Sequence, residues 1–88
     1  MYFVYVLYSH SLQKKYVGHT SDLNKRLAHH NAGLNRWSKR GIPWQLVYSE
    51  QFFTKSEACK RELYLKTGKG REELAKVVPP GADQKTRD

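Results

Sequence analysis

The stretch "VYVLYSHSLQKKYVGHT", Val4–Thr20, decides the fold of this chain of 88 residues. Its first part is rich in valine and tyrosine, which suit a pleated sheet. Its polar centre, "SHSLQKK", reads as a turn, and "KYVGH" after it reads as a second short strand. We therefore predict an antiparallel hairpin. Its Tyr5 and Tyr16 are candidates for packing, which is the commoner use of paired strand aromatics, or for chemistry.

The rest of the chain supplies helices and one more strand. "TSDLNKRLAHHN" predicts a helix capped by Thr20 or Ser21, and "WQLVYSEQFF" predicts a third strand. "TKSEACKRELYLKTG" predicts the clearest helix, with Thr54 and Glu57 as a capping box and Gly68 at its end. "REELAKVV" predicts a short last helix. The order β-β-α-β-α-α indicates a small α+β domain, with helices packed on a mixed or antiparallel three-stranded sheet.

The charge balance points to a polyanionic partner. Lys and Arg number 16 against 8 Asp and Glu, a net charge of +8. Nucleic acid is the commonest partner of such a domain, and no basic amphipathic helix favours a membrane surface. Cys59 is the only cysteine, which excludes an internal disulfide and a multi-cysteine zinc site. We see no signal peptide and expect a cytoplasmic location.

The first helix carries Arg26 and His30 on one face. At about 100° per residue they project about 40° apart, and His30 falls about 20° from Leu23 on the core-facing stripe. One interpretation is a histidine at a helix end and an arginine whose stem packs against the domain. The other is that both side chains face a site where negative charge develops.

The second helix carries an acid within its less polar arc. Glu62 projects about 40° from Ala58, and burying a carboxylate costs free energy unless it is paired or binds a cation. A salt bridge with Arg26, Lys66 or another base and a metal-binding role are equally good interpretations. A carboxylate, an arginine, a histidine and two tyrosines together suffice for phosphodiester hydrolysis assisted by Mg²⁺.

These residues match a known family pattern. Phe3–Tyr5 resembles the first motif of the GIY-YIG nuclease superfamily and Tyr16–Gly18 resembles the second. Arg26 and His30 stand where the family places an arginine and, one turn later, a histidine or tyrosine. "EACKRELYLKTGKGRE" is similar to the metal-site helix, with Glu62 as the ligand. The resemblance is closest to the small single-domain bacterial YhbQ-like branch and covers nearly the whole folded part.

The resemblance implies a three-stranded antiparallel sheet flanked by helices and a metal-dependent DNA endonuclease, with a possible role in repair or recombination. It implies one Mg²⁺, replaceable by Mn²⁺, on Glu62. Tyr5 is the general base, Tyr16 and His30 orient it or the water, and Arg26 stabilises the phosphorane. Further, it implies a nuclease domain over residues 1–78, followed by a polar, disordered tail over 79–88.

Gly18 is expected to end or bend its strand and to lie beside the site. The chain departs from the family pattern at Phe3, Val4 and Val17, and residues 63–80 lack the asparagine of larger members. A nucleic-acid-binding module with the same fold and little turnover is therefore the alternative function, and an accessory protein for an acidic partner is a weaker one. DNA is the expected partner, RNA and the oligomeric state stay open, and no membrane is expected. The residues expected to bind the nucleic acid are Lys14, Lys15, Arg36, Trp37, Lys39 and Arg40.

Overall fold

The computed structural model describes residues 1–34, 36 and 38–77. Trp37 and the predicted tail lie outside these residues. Strands and helices occur in the predicted order. The elements are β1 (Tyr2–Ser9), β2 (Lys14–Thr20), α1 (Leu23–Asn31), a 3₁₀ turn (Lys39–Gly41), β3 (Trp44–Phe52), α2 (Lys55–Leu65) and α3 (Gly68–Val77).

The sheet has the order β2-β1-β3 and both pairings are antiparallel, which confirms the predicted sheet. Strand β1 lies in the centre, and its residues 4–9 are all buried. In the hairpin Tyr5 pairs with Gly18 and Leu7 pairs with Tyr16. Since directly paired residues share one face of a sheet, both predicted tyrosines point to the same side.

The two faces of β1 carry separate hydrophobic clusters. Val4, Val6 and Tyr8 pack with buried residues of α2 and α3. Tyr5 and Leu7 pack on the opposite face with residues of α1 and the start of β3. Alternation along one strand therefore divides the domain into an α2–α3 side and an α1 side.

Helix α1 is capped by a residue that follows both predicted caps, Thr20 and Ser21. Its N-cap is Asp22, whose carboxylate accepts a hydrogen bond from the backbone N–H of Lys25. Thr20 is still part of β2, where it pairs with Phe3, and its hydroxyl bonds to the backbone of Asp22. Thr20 therefore pairs within the sheet instead of capping the helix, and Ser21 does not cap the helix either.

Helix α2 has the predicted capping box between Thr54 and Glu57. It ends earlier than predicted, with Lys66 as its C-cap, and Gly68 begins α3 instead of ending α2. A side chain at Gly70 would collide with the carbonyl oxygen of Tyr64. Glycine there lets α3 start directly against the end of α2.

The end of α1 is fixed to the start of β3 by one side chain. The amide of Asn31 donates to the carbonyl oxygen of Trp44 at 3.0 Å and accepts from its backbone N–H at 2.6 Å. Asn31 directly follows His30, so this pair of bonds places His30 relative to the sheet. In the part of the chain that the structure describes, no helix is long and apolar enough to cross a bilayer.

Candidate active site

Tyr5 lies directly over Gly18. A Cβ atom at position 18 would fall 2.6 Å from the Tyr5 hydroxyl oxygen and 3.2 Å from the ring of Tyr16. Such distances are too short for real contacts, so glycine is what leaves room for both rings. Gly18 does not end its strand, because β2 continues to Thr20.

His30 completes an aromatic cluster with the two tyrosines. The ring centroids of Tyr16 and His30 are 4.9 Å apart, in an edge-to-face arrangement, and those of Tyr5 and Tyr16 are 6.2 Å apart. The Tyr5 hydroxyl lies 3.4 Å from Nε2 of His30, within hydrogen-bond reach. The structure therefore brings three of the predicted site residues together on the α1 side of the sheet.

Ser38 holds the other nitrogen of the His30 ring. Its hydroxyl lies 2.7 Å from Nδ1 of His30, and both residues are fully buried. The indole N–H of Trp44 donates to the carbonyl oxygen of Ser38 at 2.7 Å, which fixes the serine backbone. A histidine nitrogen takes its role from the partner of the other nitrogen. In the tautomer whose Nδ1 donates to Ser38, Nε2 keeps a lone pair that faces Tyr5.

The electrostatics around Tyr5 connect it to two more predicted residues. Burial, followed by the neighbouring Tyr16, raises the pKa of Tyr5 well above its ordinary value. The charge of Arg26 acts against this rise, and the charge of Glu62 adds to it. Both charged groups are thus close enough to act on the phenol. At neutral pH Tyr5 is a phenol, so it needs a proton acceptor to serve as a base.

The environment of His30 keeps that acceptor neutral. Burial lowers the pKa of His30 below its ordinary value, and the charges of Arg26 and His29 lower it further. A neutral imidazole is the form that accepts a proton.

On the α2–α3 side of the sheet, across from Tyr5 and His30, Glu62 of α2 contacts His19, whose strand partner is Val4. Its two carboxylate oxygens bond to Nδ1 of His19 at 2.5 Å and to Nζ of Lys66 at 2.6 Å. Burial acts to raise the pKa of Glu62, but the hydrogen bonds and charges of these two partners outweigh it and hold the pKa below its ordinary value. The predicted salt bridge with Lys66 is present, and His19 is a partner that the sequence analysis missed.

This donor set suits a hard cation with most of its ligands from outside the protein. Among residues 1–34, 36 and 38–77 there is no group of three or more side chains placed to hold a metal together. Mg²⁺ commonly uses one carboxylate, several waters and substrate phosphate oxygens. The ionised carboxylate of Glu62 fits that requirement.

Four of the predicted nucleic-acid-binding residues line one groove of about 600 Å³ together with Leu12 and Trp44. Lys15 lines a different cavity, on the α2–α3 side. Trp37 lies outside the described residues. The four cations of the groove come from the start of β2 and from the segment around the 3₁₀ turn, and they are Lys14, Arg36, Lys39 and Arg40.

A comparison with known protein families bears on this arrangement of side chains. The profile of the GIY-YIG catalytic domain matches residues 1–75. The chain belongs to the GIY-YIG family. This membership confirms the resemblance drawn from the two motifs. It makes the chain a domain of a nuclease superfamily, with nucleic acid as the implied class of substrate.

Several relatives of this chain are UPF0213 proteins. One from Staphylococcus saprophyticus is 43% identical over 67 residues, which are 75% of this chain and 80% of that protein. Another, from Staphylococcus haemolyticus, is 40% identical over 63 residues, covering 70% and 77%. The solution NMR structure of a UPF0213 protein from Bacillus halodurans superposes with a TM-score of 0.55 at 27% identity, covering 100% of this chain and 98% of that one.

Two residues of the site escaped the sequence analysis. His19 carries a usable signal, because alternation along β2 places it on the face opposite Gly18, towards α2. Ser38 carries none, since it lies in an irregular segment whose contacts follow no period.

Proposed function

We propose that this GIY-YIG domain is a metal-dependent DNA endonuclease that hydrolyses phosphodiester bonds. Branched or otherwise structured DNA of repair and recombination would be its substrate, and the cytoplasm its location. The observation that carries the proposal is the contact of the Tyr5 hydroxyl with Nε2 of His30 at 3.4 Å, beside charges on Arg26 and Glu62 that act on the same phenol. A domain this small has little surface for reading bases, which favours recognition of DNA shape.

The proton leaves the attacking water through Tyr5. A water oxygen attacks the phosphorus while its proton passes to the Tyr5 oxygen, and the phenolic proton passes to Nε2 of His30. The bond from phosphorus to the leaving oxygen breaks, and that oxygen takes a proton from solvent. Nδ1 of His30 donates to Ser38 throughout, which steadies the imidazolium that forms.

Arg26 binds the phosphate and also tunes the relay. A guanidinium beside the phosphate neutralises the negative charge that grows in the transition state. Once the phosphate offsets this cation, Arg26 no longer depresses the pKa of His30 as it does in the free protein. Substrate binding therefore makes the imidazole a better proton acceptor.

Glu62 would hold the divalent ion. When bound, Mg²⁺ or Mn²⁺ polarises the phosphate and stabilises charge on the leaving oxygen. Both carboxylate oxygens are engaged by His19 and Lys66 in the free protein, so Glu62 must exchange at least one of these partners for the ion.

The test compares cleavage by matched variants. We expect wild-type protein with Mg²⁺ or Mn²⁺ to nick plasmid or branched DNA, and Tyr5→Phe and Glu62→Gln to lose about 100-fold or more of the rate. Tyr64→Phe removes a phenolic hydroxyl on the exposed side of α2 and is the control. Equal cleavage by all four proteins would reveal a contaminating nuclease and sink the proposal. Parallel assays on RNA decide the type of nucleic acid.

A binding module without useful turnover is the second candidate function. The engagement of both Glu62 oxygens by basic side chains favours it, because these partners compete with a metal ion. Its signature is DNA binding that falls steeply with salt, without cleavage that depends on Glu62.

A further inference from the structure

A cavity of about 750 Å³ opens between β2 and the α2–α3 side of the domain, and Tyr16 is the member of the aromatic cluster that lines it. Its wall runs from β2, through the end of α2, to α3. Pockets of about 300–1,000 Å³ are typical of small-ligand sites. Nothing in the proposed chemistry of Tyr5 and His30 uses it.

The floor of the cavity is apolar and rigid. Tyr8, Leu65 and Leu74 line it and belong to the buried core, and Val17 packs against them. Each comes from a regular element, so the floor does not depend on a loop. Such a surface suits a flat, weakly polar group such as a nucleobase.

The rim of the cavity is cationic. Lys14, Lys15, Lys66 and Arg71 line it, and no Asp or Glu lies among its lining residues within the described part of the chain. Neither Lys14 nor Arg71 forms an ion pair with any residue the structure describes. Four cations on three elements around one opening favour a ligand with a concentrated negative charge.

Tyr8 supplies an independent observation. Its side chain is 1% exposed, and its hydroxyl is a buried polar group with no hydrogen-bond partner among residues 1–34, 36 and 38–77. Buried hydroxyls are nearly always paired, because leaving one unpaired costs stability. An unpaired hydroxyl on a residue that lines a cationic cavity points to a polar group that the ligand brings.

We propose that this cavity binds a nucleotide, with its phosphate among the cations of the rim, its base on the apolar floor and the Tyr8 hydroxyl donating to it. The choice of a nucleotide rests on the proposed nuclease function. The ligand is either one unit of the DNA strand or a free nucleotide, which share this chemistry. Tyr5 and His30 do not line the site, whereas Tyr16 and Lys66 do, so it would hold nucleic acid next to the proposed active site.

The experiment measures binding without metal, so that its result does not depend on turnover. Amide chemical shifts are followed by NMR in EDTA, with thymidine 5′-monophosphate as one probe and an unphosphorylated oligothymidylate of about eight nucleotides as the other. We expect saturable shifts at Tyr8, Val17 and Arg71. Saturation by the mononucleotide alone identifies the ligand as a free nucleotide or a phosphorylated strand end. Saturation by the oligonucleotide identifies the ligand as an internal unit of a strand. Absence of saturation by both probes overturns the proposal, whether or not the protein cleaves DNA.

Two substitutions separate a built site from general attraction. Arg71→Glu is expected to weaken binding of the bound probe about tenfold. Lys76→Glu changes the net charge equally on the same helix, away from the cavity, and is expected to have little effect. If both variants weakened probe binding equally, binding would depend on net charge alone, and the proposed site would be refuted.

Tyr8→Phe is expected to change stability and probe binding in opposite directions. Loss of an unpaired buried hydroxyl is expected to raise the melting temperature of the free protein, while binding of the probe weakens about tenfold. A variant that is more stable and binds equally well would show that the hydroxyl does not meet the ligand, and would refute its assigned role.

Discussion

The hydroxyl of Tyr5 and Nε2 of His30 lie 3.4 Å apart in a contact that joins the central strand to the last turn of α1. Both side chains are almost fully buried, with 2% and 0% of their surface exposed. A proton shared by these atoms is shielded from bulk water on most sides. This shielding suits the proposed passage of a proton from an attacking water through Tyr5 to His30.

Ser38 is expected to act as a positioning residue. Ser38→Ala removes the partner of Nδ1, so His30 loses its preference for the tautomer with a lone pair on Nε2. We expect the cleavage rate to fall about tenfold, the equivalent of one hydrogen bond, and Ser38→Thr to restore it. Nitrogen-15 NMR of the His30 ring measures the tautomer directly.

A merely structural role for Ser38 predicts a different outcome. In that case Ser38→Ala would lower the melting temperature, while the ring of His30 kept its wild-type nitrogen shifts. Wild-type shifts together with a lost rate would contradict the positioning role.

Stability is expected to fall as the pH drops below about 6.5, because of His30. Its folded-state pKa is lowered, so below the ordinary value of 6.5 the unfolded chain binds the extra proton more readily. The groups facing His30 are Tyr5, Tyr16, Arg26 and His29, and the two charged neighbours oppose its protonation. The contribution is complete above about pH 6.5 and is lost towards acid.

Urea unfolding at about pH 7.5 and about pH 5.5 checks this dependence. We expect His30→Gln to flatten the change in unfolding free energy between the two values. His29→Gln, at the exposed neighbouring position, is expected to leave most of it. The ion pair of Glu50 with Arg61 titrates in a lower window, because the pKa of Glu50 is held below 4.5. An unchanged slope in His30→Gln would refute the assignment.

Gly18→Ala tests the close approach of Tyr5 to β2. The new Cβ would lie 2.6 Å from the Tyr5 hydroxyl oxygen, and the buried ring has little room to move. We expect about 1–3 kcal/mol of destabilisation and a large loss of cleavage, since the hydroxyl shifts relative to His30. Gly68→Ala is the control, because a Cβ there meets nothing within 4 Å. Similar losses in both variants would mean that generic glycine effects dominate.

Lys66→Met is expected to tighten metal binding. Lys66 is half-exposed and bonds to one oxygen of Glu62, so its removal frees that oxygen and takes away a repelling charge. We expect Mn²⁺ to bind several-fold more tightly, on the order of 1 kcal/mol, in electron paramagnetic resonance titrations. Lys69→Met, a lysine on α3 that makes no bond to Glu62, should behave as wild type. Unchanged affinity in Lys66→Met would place the ion elsewhere.

The parts of the fold that local rules govern were predictable. The first strand, Tyr2–Ser9, forms before the predicted turn, because its residue types suit a sheet and a polar turn follows it. The capping box of Thr54 and Glu57 also forms as predicted, since both of its bonds lie within four residues. The family pattern added the antiparallel pairing of all three strands, which periodicity had left open.

Features that depend on distant pairing were not predictable. Thr20 and Asp22 are both good caps by residue type, and the pairing of Thr20 with Phe3 decides between them. The partners of Glu62 come from β2 and from the next turn of its own helix, and only the lysine was foreseen. Ser38 contacts His30 from the start of the 3₁₀ turn, and no rule of sequence spacing predicts this contact.

Asn31 gives the site a mechanical property. Its side-chain amide forms both bonds that one residue of a neighbouring strand would form with Trp44. The helix end cannot swing away from β3 without breaking both of these bonds. The backbone amide proton of Trp44 is protected by Asn31, the residue after His30. The rate at which this proton exchanges with deuterium therefore reports how often the end of α1, with His30, leaves the sheet.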